Sequence, residues 1–194
     1  KRFLGAYFFY NMGVQTVMVV AVLFARNEIA WASEEAKTSS LIISILIIQF
    51  VGVAGSYVFS RLSSRMGNIH ALMAAVFIWI FICIYTYWFV FFPSQFYVVA
   101  FLVGFVMGGI QALSRSTYSK LIPETEDLAS FFSFYDVMEK LGMIIGTVTF
   151  GIISEIVVGM RTSVLSLIIY FILGFVLLIG LQKRSLRLSG APAT

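Results

Sequence analysis

The sequence predicts an all-α membrane protein of six transmembrane helices, and three observations carry that expectation. First, 60% of its 194 residues are hydrophobic and only 11% are charged, whereas soluble domains are about half apolar and about a quarter charged. The mean hydropathy is +0.98. A soluble fold of this length could not hide so much apolar surface, which excludes soluble enzymes and soluble binding domains. Second, the chain divides into six apolar stretches, each near or above the ~20 residues that cross a hydrocarbon core. Third, runs such as Leu41-Ile42-Ile43-Ser44-Ile45-Leu46-Ile47-Ile48 do not alternate. Barrel strands must alternate, so helix is the one class that satisfies the backbone within lipid.

The spans are expected at about 3–25, 41–59, 71–92, 95–113, 129–158 and 162–181, the fourth continuing as helix to Ile122. They form a single six-span domain over residues 1–194. The chain opens Lys1-Arg2-Phe3 and runs straight into an apolar helix, which reads as a piece of something longer. With one cysteine, Cys83, and one histidine, His70, no internal disulfide and no Cys/His zinc site is expected. No metal and no cofactor are expected. The same scarcity leaves no nucleophile–base pair, so the chain reads as a non-enzyme. Its net charge of +4 is spread over short basic clusters beside apolar spans, which is no nucleic-acid signature.

Basic residues concentrate in cytoplasmic loops. With the start of the chain inside, Lys1, Arg2, Arg61, Arg65, Arg115, Lys120, Lys140, Lys183, Arg184 and Arg187 fall inside, and only Arg26, Lys37 and Arg161 fall outside. Both termini are therefore expected in the cytoplasm. Trp31 and Tyr87-Trp88-Phe89 fall near the opposite face, as an aromatic belt should.

The third and sixth spans are bulky and apolar all round, which suits lipid contact at the periphery. The first, second, fourth and fifth carry Gly, Ser, Thr, Asn and Gln and are expected to face one another or a cavity. The order polar, polar, lipid thus occurs twice, a three-plus-three pattern expected of nested inverted repeats in one six-helix half of a major-facilitator transporter. Tyr7, Asn11 and Gln15 recur at i, i+4 and i+8 on one face of the first span. With Gln49 and Gln111 they make a candidate solute-binding patch, the alternative being hydrogen-bonded glue between helices. Gly104 and Gly108, like Gly142 and Gly146, are small-xxx-small steps for close packing, expected between the fourth and fifth spans.

Charges at the inside ends suggest a gate. Arg61 and Arg65 lie in Ser60-Arg61-Leu62-Ser63-Ser64-Arg65-Met66-Gly67, expected as a tight loop. Arg115 and Lys120 end the fourth helix, and Glu124, Glu126 and Asp127 lie in the hairpin after Pro123. Asp136 and Lys140 are spaced to pair on the fifth helix. Asp136 or Glu139, placed at the inside level, is expected to pair with an arginine from another element, in surroundings made apolar by Phe131-Phe132-Ser133-Phe134-Tyr135.

The string Gly108-Gly109-Ile110-Gln111-Ala112-Leu113-Ser114-Arg115-Ser116, followed by Phe131-Phe132-Ser133-Phe134-Tyr135-Asp136 and Lys140, resembles the vacuole-effluxer-like, autophagy-linked amino-acid effluxer branch of the major facilitator superfamily. Tyr10-Asn11-Met12-Gly13-Val14-Gln15-Thr16 resembles the start of the seventh helix in that branch, and Arg61 and Arg65 match basic positions of the superfamily's cytoplasmic loop motif. The resemblance implies the C-terminal half of a twelve-span secondary transporter. This chain would supply half of a central cavity for small solutes, with amino acids as the implied class. Its partners would be the lipid bilayer, the N-terminal six-span half, the solute and, for the isolated fragment, a second copy of itself. The bacterial inner (plasma) membrane is the expected location. The rival expectation is a self-contained six-span channel or membrane assembly subunit forming homo-oligomers.

Overall fold

The computed structural model describes residues 2–123, 127–157 and 159–189. Among the described residues there are six helices: α1 (Arg2–Glu28), α2 (Glu34–Met66), α3 (Asn68–Phe89), α4 (Pro93–Leu121), α5 (Leu128–Ile156) and α6 (Met160–Ser189). Each is long and apolar enough to cross a membrane. Lys1, Glu124 and Glu126 lie outside the described residues, and the side chains of Arg184 and Arg187 are outside them too.

Local chemistry sets the boundaries. Ser33 caps α2 by accepting from the Ala36 N–H at 3.1 Å, a bond that satisfies one orphan donor of the first turn. Pro93 opens α4, and the Gln95 side chain accepts from the N–H groups of Phe91 and Phe92 at 2.9 and 3.0 Å. Asp127 caps α5 through the Ser130 N–H at 3.2 Å. Bonds from the Ser130 hydroxyl and N–H hold the Asp127 carboxyl below its ordinary range. Between α2 and α3 stands a single residue, Gly67, at φ 86°, a conformation that residues with a Cβ seldom adopt. Arg61 and Arg65 therefore lie on the last turns of α2, not in a loop as the sequence suggested. Apolar periodicity marks the buried part of a span and says nothing of polar turns that continue the helix beyond it.

The helices pass up and down in turn. Phe3, Tyr118 and Phe132 meet at the end where α1 starts and α6 finishes, here called the terminal end. At that end Asn68 joins the start of α3 to α4. Its side chain accepts from Ser63 at 3.0 Å and Lys120 at 3.1 Å, and donates to Thr117 at 3.1 Å. At the opposite end the Trp31 indole donates to the Ala25 carbonyl at 2.7 Å and packs edge-on against Phe96. In space the helices run α5, α1, α6, α3, α4, α2, each packed on the next. Exchanging α1, α2, α3 for α4, α5, α6 leaves the principal pairings unchanged, so the two triplets are equivalent.

Two seams show how small residues permit this. On α2 and α4, a Cβ on Gly55 would overlap the Phe105 carbonyl, one on Gly108 would overlap that of Gly52, and one on Gly104 would lie 2.7 Å from that of Ile48. On α1 and α5, a Cβ on Gly142 would meet Asn11 and Met12, and one on Gly146 would meet Thr16 and Met12. The glycines therefore join α4 to α2 and α5 to α1, a correction to the expected seam between the fourth and fifth spans. The third and sixth helices lie away from the cleft described below, yet each buries one face. Trp79 of α3 stacks on Phe171 of α6 at 5.5 Å, both fully buried, while Phe77, Phe81, Ile169 and Val176 point outward. A helix that is apolar all round packs on any side, so composition could not show which face is covered.

Arg161 ties the opposite end together. Its guanidinium donates to the carbonyls of Val90 at 2.6 Å and Tyr87 at 3.1 Å and meets the Glu28 carboxylate at 3.4 Å. It lies over the rings of Phe91 and Phe24, 4.1 and 5.5 Å from their centroids. One side chain thus closes the ends of α1 and α3 from the start of α6. Hydrogen bonds to charged groups contribute about 1.5–3 kcal/mol, and lysine cannot reproduce the planar fork. Arg161→Lys is expected to cost about that much stability, read as a lower thermal unfolding midpoint in detergent. Gly108→Leu is expected to loosen the α2–α4 seam by about 1–3 kcal/mol through overpacking, on the same measurement.

Candidate functional site

A polar cleft of about 350 Å³ opens between α1, α4 and α5, within the usual size of small-molecule sites. α1 contributes Tyr7, Tyr10, Asn11, Val14 and Gln15; α4 contributes Gly108, Ile110, Gln111, Ala112, Ser114 and Arg115; α5 contributes Tyr135 and Glu139. On α1 the i, i+4, i+8 spacing aims Tyr7, Asn11 and Gln15 at one face, as its periodicity requires. On α5 Tyr135, Glu139, Gly142 and Gly146 form the facing stripe.

Glu139 is the centre of this cleft. Tyr7 Oη donates to its Oε2 at 3.2 Å, Gln15 Nε2 donates to Oε1 at 3.0 Å, and Asn11 Nδ2 approaches its backbone carbonyl at 3.4 Å. Gln15 is the central residue of the 27-residue α1, and Glu139 lies within one turn of the middle of α5. The carboxylate is thus held at mid-depth by two donors that carry no formal charge. Among the described residues no cation lies within ion-pair distance of it. A carboxylate accepts about four hydrogen bonds, so lone pairs remain for a cationic group entering the cleft.

Glu139 was expected at the level of the terminal end, and the structure places it deeper; of Asp136 and Glu139, at least one of which was expected to meet an arginine, it is Asp136 that does. Proximity to the start of α5 had placed Glu139 at that level; the largely aromatic stretch Phe131 to Tyr135 precedes it in the helix and carries it deeper. Asp136 does meet an arginine from another helix, Arg115, with Nη2 3.4 Å from Oδ1. Both side chains are more than half exposed, at 61% and 57%, so the pair contributes about 0–1 kcal/mol, not the 3–5 of a buried one. Lys140 is exposed and does not pair with Asp136. Arg61 lies over the Tyr57 ring at 4.9 Å, and neither it nor Arg65 has a carboxylate partner among the described residues.

Four of the five residues of the expected patch line the cleft; Gln49 does not. It stands on the exposed side of α2 among Leu46, Phe50 and Val53, because α2 packs on α4 through the glycine seam and so lies outside the cleft. The sequence reading missed Tyr10, Ser114 and Tyr135. Tyr10 and Ser114 share a buried hydrogen bond of 2.8 Å, and Ser114 also donates to the Ile110 carbonyl at 2.5 Å. Tyr135 was legible from its i−4 spacing to Glu139.

Among the described residues, six membrane-length helices and an off-centre polar cleft with a mid-depth carboxylate define a polytopic helical membrane protein. Residues 1–187 match the family described as vacuole effluxer Atg22 like, and the chain belongs to that family. An MFS-type transporter, YxiO of Bacillus subtilis, is 34% identical over 176 residues, covering 91% of this chain and 39% of the relative. Autophagy-related protein 22 of Yarrowia lipolytica is 26% identical over 191 residues, covering 93% of this chain and 31% of the relative. That of Eremothecium gossypii is 27% identical over 184 residues, covering 90% and 34%. The chain therefore spans between about a third and two-fifths of the length of these relatives. Their names describe a transporter and autophagy-related proteins, not enzymes. No solved structure matches the chain.

Removing the central acceptor has a defined cost. Glu139→Leu leaves Tyr7 and Gln15 without their acceptor, which costs about 1–3 kcal/mol, whereas Glu139→Gln keeps one carbonyl acceptor. The thermal unfolding midpoint should fall clearly further for Leu than for Gln, and Asp136→Asn should leave it nearly unchanged.

Proposed function

We propose that this chain is one half of a secondary transporter that moves a small zwitterionic solute, an amino acid being the simplest example, by alternating access. The second half would be the remainder of the longer protein, closing over the cleft and over the outward apolar faces of α2 and α5. The single observation that carries the reading is the pairing of opposite charges in one cleft. Glu139 has lone pairs open to an ammonium group, and Arg115 offers a carboxylate the N–H groups that Asp136 does not use. Asn11, Gln15 and Gln111 supply uncharged donors and acceptors between them, and Val14 and Ala112 give an apolar wall.

Relatives described as an MFS-type transporter and autophagy-related protein 22 support the transport class. The excess of basic residues at the terminal end supports a cytoplasmic location of both termini, in the bacterial inner membrane. A second copy covering the cleft of an isolated fragment, or a homo-oligomeric assembly, is the competing arrangement. Sizing the intact protein separates it, since two six-helix halves in one chain leave no cleft face for self-association.

Charge complementarity predicts two separable losses, because removing one partner of a desolvated pair typically costs about 2–5 kcal/mol. In proteoliposomes of the intact transporter, Glu139→Gln should lower kcat/KM for zwitterionic solutes by about 100-fold or more. Arg115→Gln should do the same for zwitterions while sparing an amine that lacks the carboxylate. Unchanged uptake in both variants would remove Glu139 and Arg115 from the site.

A further inference from the structure

Four aromatic rings close a loop at the terminal end of the cleft. Phe3 and Tyr7 of α1 lie 6.4 Å apart between centroids, Tyr7 and Tyr135 of α5 4.3 Å, Tyr135 and Tyr118 of α4 5.1 Å, and Tyr118 and Phe3 6.5 Å. The angles between successive planes are 20°, 23°, 30° and 21°, so the rings lie roughly parallel. All four are buried, none more than 5% exposed. Tyr118 Oη donates to the Phe131 carbonyl at 2.9 Å, and Phe132 packs edge-on against the Tyr118 ring. Both contacts hold the first turn of α5 against α4.

The two sides of this layer differ. Tyr7 and Tyr135 line the polar cleft. Phe3 and Tyr118 line a second cavity of about 510 Å³ at the terminal end, walled by Leu4, Leu121, Ile122, Phe131, Phe134 and Leu181. The rings are the layer that the two cavities share. A charged solute crossing it would meet stacked apolar faces in place of its water, an uncompensated desolvation. The ion pair at the same level, Arg115 with Asp136, is exposed and cannot form such a seal.

We infer that the Phe3–Tyr7–Tyr135–Tyr118 stack is the barrier that shuts the cleft toward the terminal end, and that the second cavity is the passage beyond it. The inference rests on the transport reading and adds where the route closes and by what chemistry. Its rings come from three helices, so a displacement of any one opens the loop. α5 is the element to move. Its outer face, including Phe134, Val137, Leu141 and Ile144, is left exposed by the other helices of this chain, and beyond the Glu139 hydrogen bonds to Tyr7 and Gln15 its contact with α1 runs along Gly142 and Gly146. Withdrawing α5 separates Tyr135 from both Tyr7 and Tyr118 and breaks the two shortest contacts together.

The test is side-selective labelling in the intact transporter, with Cys83→Ala and Ala112→Cys placing one thiol in the cleft. A membrane-impermeant thiol reagent is applied from each side of sealed vesicles in turn. Tyr135→Ala and Tyr118→Ala should each raise the labelling rate from the terminal-end side roughly tenfold or more, as expected for the loss of two ring pairs of the loop, and for Tyr118 of its Phe132 contact as well. The rate from the other side should stay unchanged, and Tyr135→Phe, which keeps the ring, should behave as the parent. Phe3→Leu, at the rim of the stack, should give a smaller rise and serves where an alanine variant is not recovered. Unchanged labelling, an equal rise from both sides, or a Tyr135→Phe variant as fast as the alanine would each overturn the barrier. Labelling needs no turnover, so the two readings fail separately: side-selective opening in the cysteine variant, with no solute uptake by the unsubstituted protein, sustains the barrier and removes the transport reading.

Discussion

A carboxylate at mid-depth in an apolar helical bundle has to be solvated by the protein, and much of this structure follows from how that is done. Among the described residues no cation lies within ion-pair distance of Glu139, and hydrogen bonds from Tyr7 and Gln15 meet its carboxyl oxygens. Those donors are on α1, and they reach Glu139 only because α5 lies close against α1. That closeness depends on Gly146, where a Cβ would strike Thr16 and Met12, and Gly142 beside it leaves a Cβ only contact distance from Asn11 and Met12. The carboxylate, the donors and the glycines therefore form one device. The apolar environment supplies the rest, since an unpaired polar group costs far more there than in water. The same condition explains why the amides of α1 turn inward and why α4, which carries Gln111 and Arg115, faces them.

The two ends of the bundle are held by different forces. At the opposite end the Arg161 guanidinium gathers the closing carbonyls of α3 and the carboxylate of Glu28, a directional network that fixes α1, α3 and α6 relative to one another. At the terminal end the cleft is bounded by stacked rings, which hold by contact area and offset stacking with little angular demand. At the terminal end the Asn68 bonds tie α2, α3 and α4, while α5 meets α1 and α4 there through stacked rings and the single Tyr118–Phe131 bond. α5 is bound at its first turn, through Glu139 to Tyr7 and Gln15, along its glycine stripe and through Thr149 to Tyr170, and it takes no part in the Arg161 network. It can tilt without breaking that network.

The equivalence of the two triplets gives the cleft its place. α1 and α4 correspond, each carrying a partner helix on one flank through a small-residue seam and a bulky helix on the other. The partner helices α2 and α5 flank the pair on either side, and α3 and α6 back it. Yet the cleft is lopsided. α5 enters it with Tyr135 and Glu139, whereas the corresponding helix α2 contributes no lining residue. An internal repeat thus supplies the frame, and one member of an equivalent pair has taken the chemistry.

Composition alone determined the class of this protein: so many apolar residues in six helix-length stretches have no other low-energy arrangement in lipid. The helix count, the up-and-down course and the shared face of Tyr7, Asn11 and Gln15 were legible because each follows from local periodicity and span length. The tertiary structure decided what those faces meet. Gln49 obeys the same polar-span logic as Gln111 yet lies outside the cleft, because the glycine seam turns α2 toward α4 along another side. Glu139 read as a charge near a helix start, and Arg61 and Arg65 as a loop, because hydropathy shows where a span is apolar and not how far its helix continues. The four-ring stack could not be read at all, since Phe3, Tyr7, Tyr118 and Tyr135 come from three helices and acquire their geometry only when those helices pack. Spacing along one helix is a local property of the chain, while the pairing of faces between helices is set by which small residues let backbones approach.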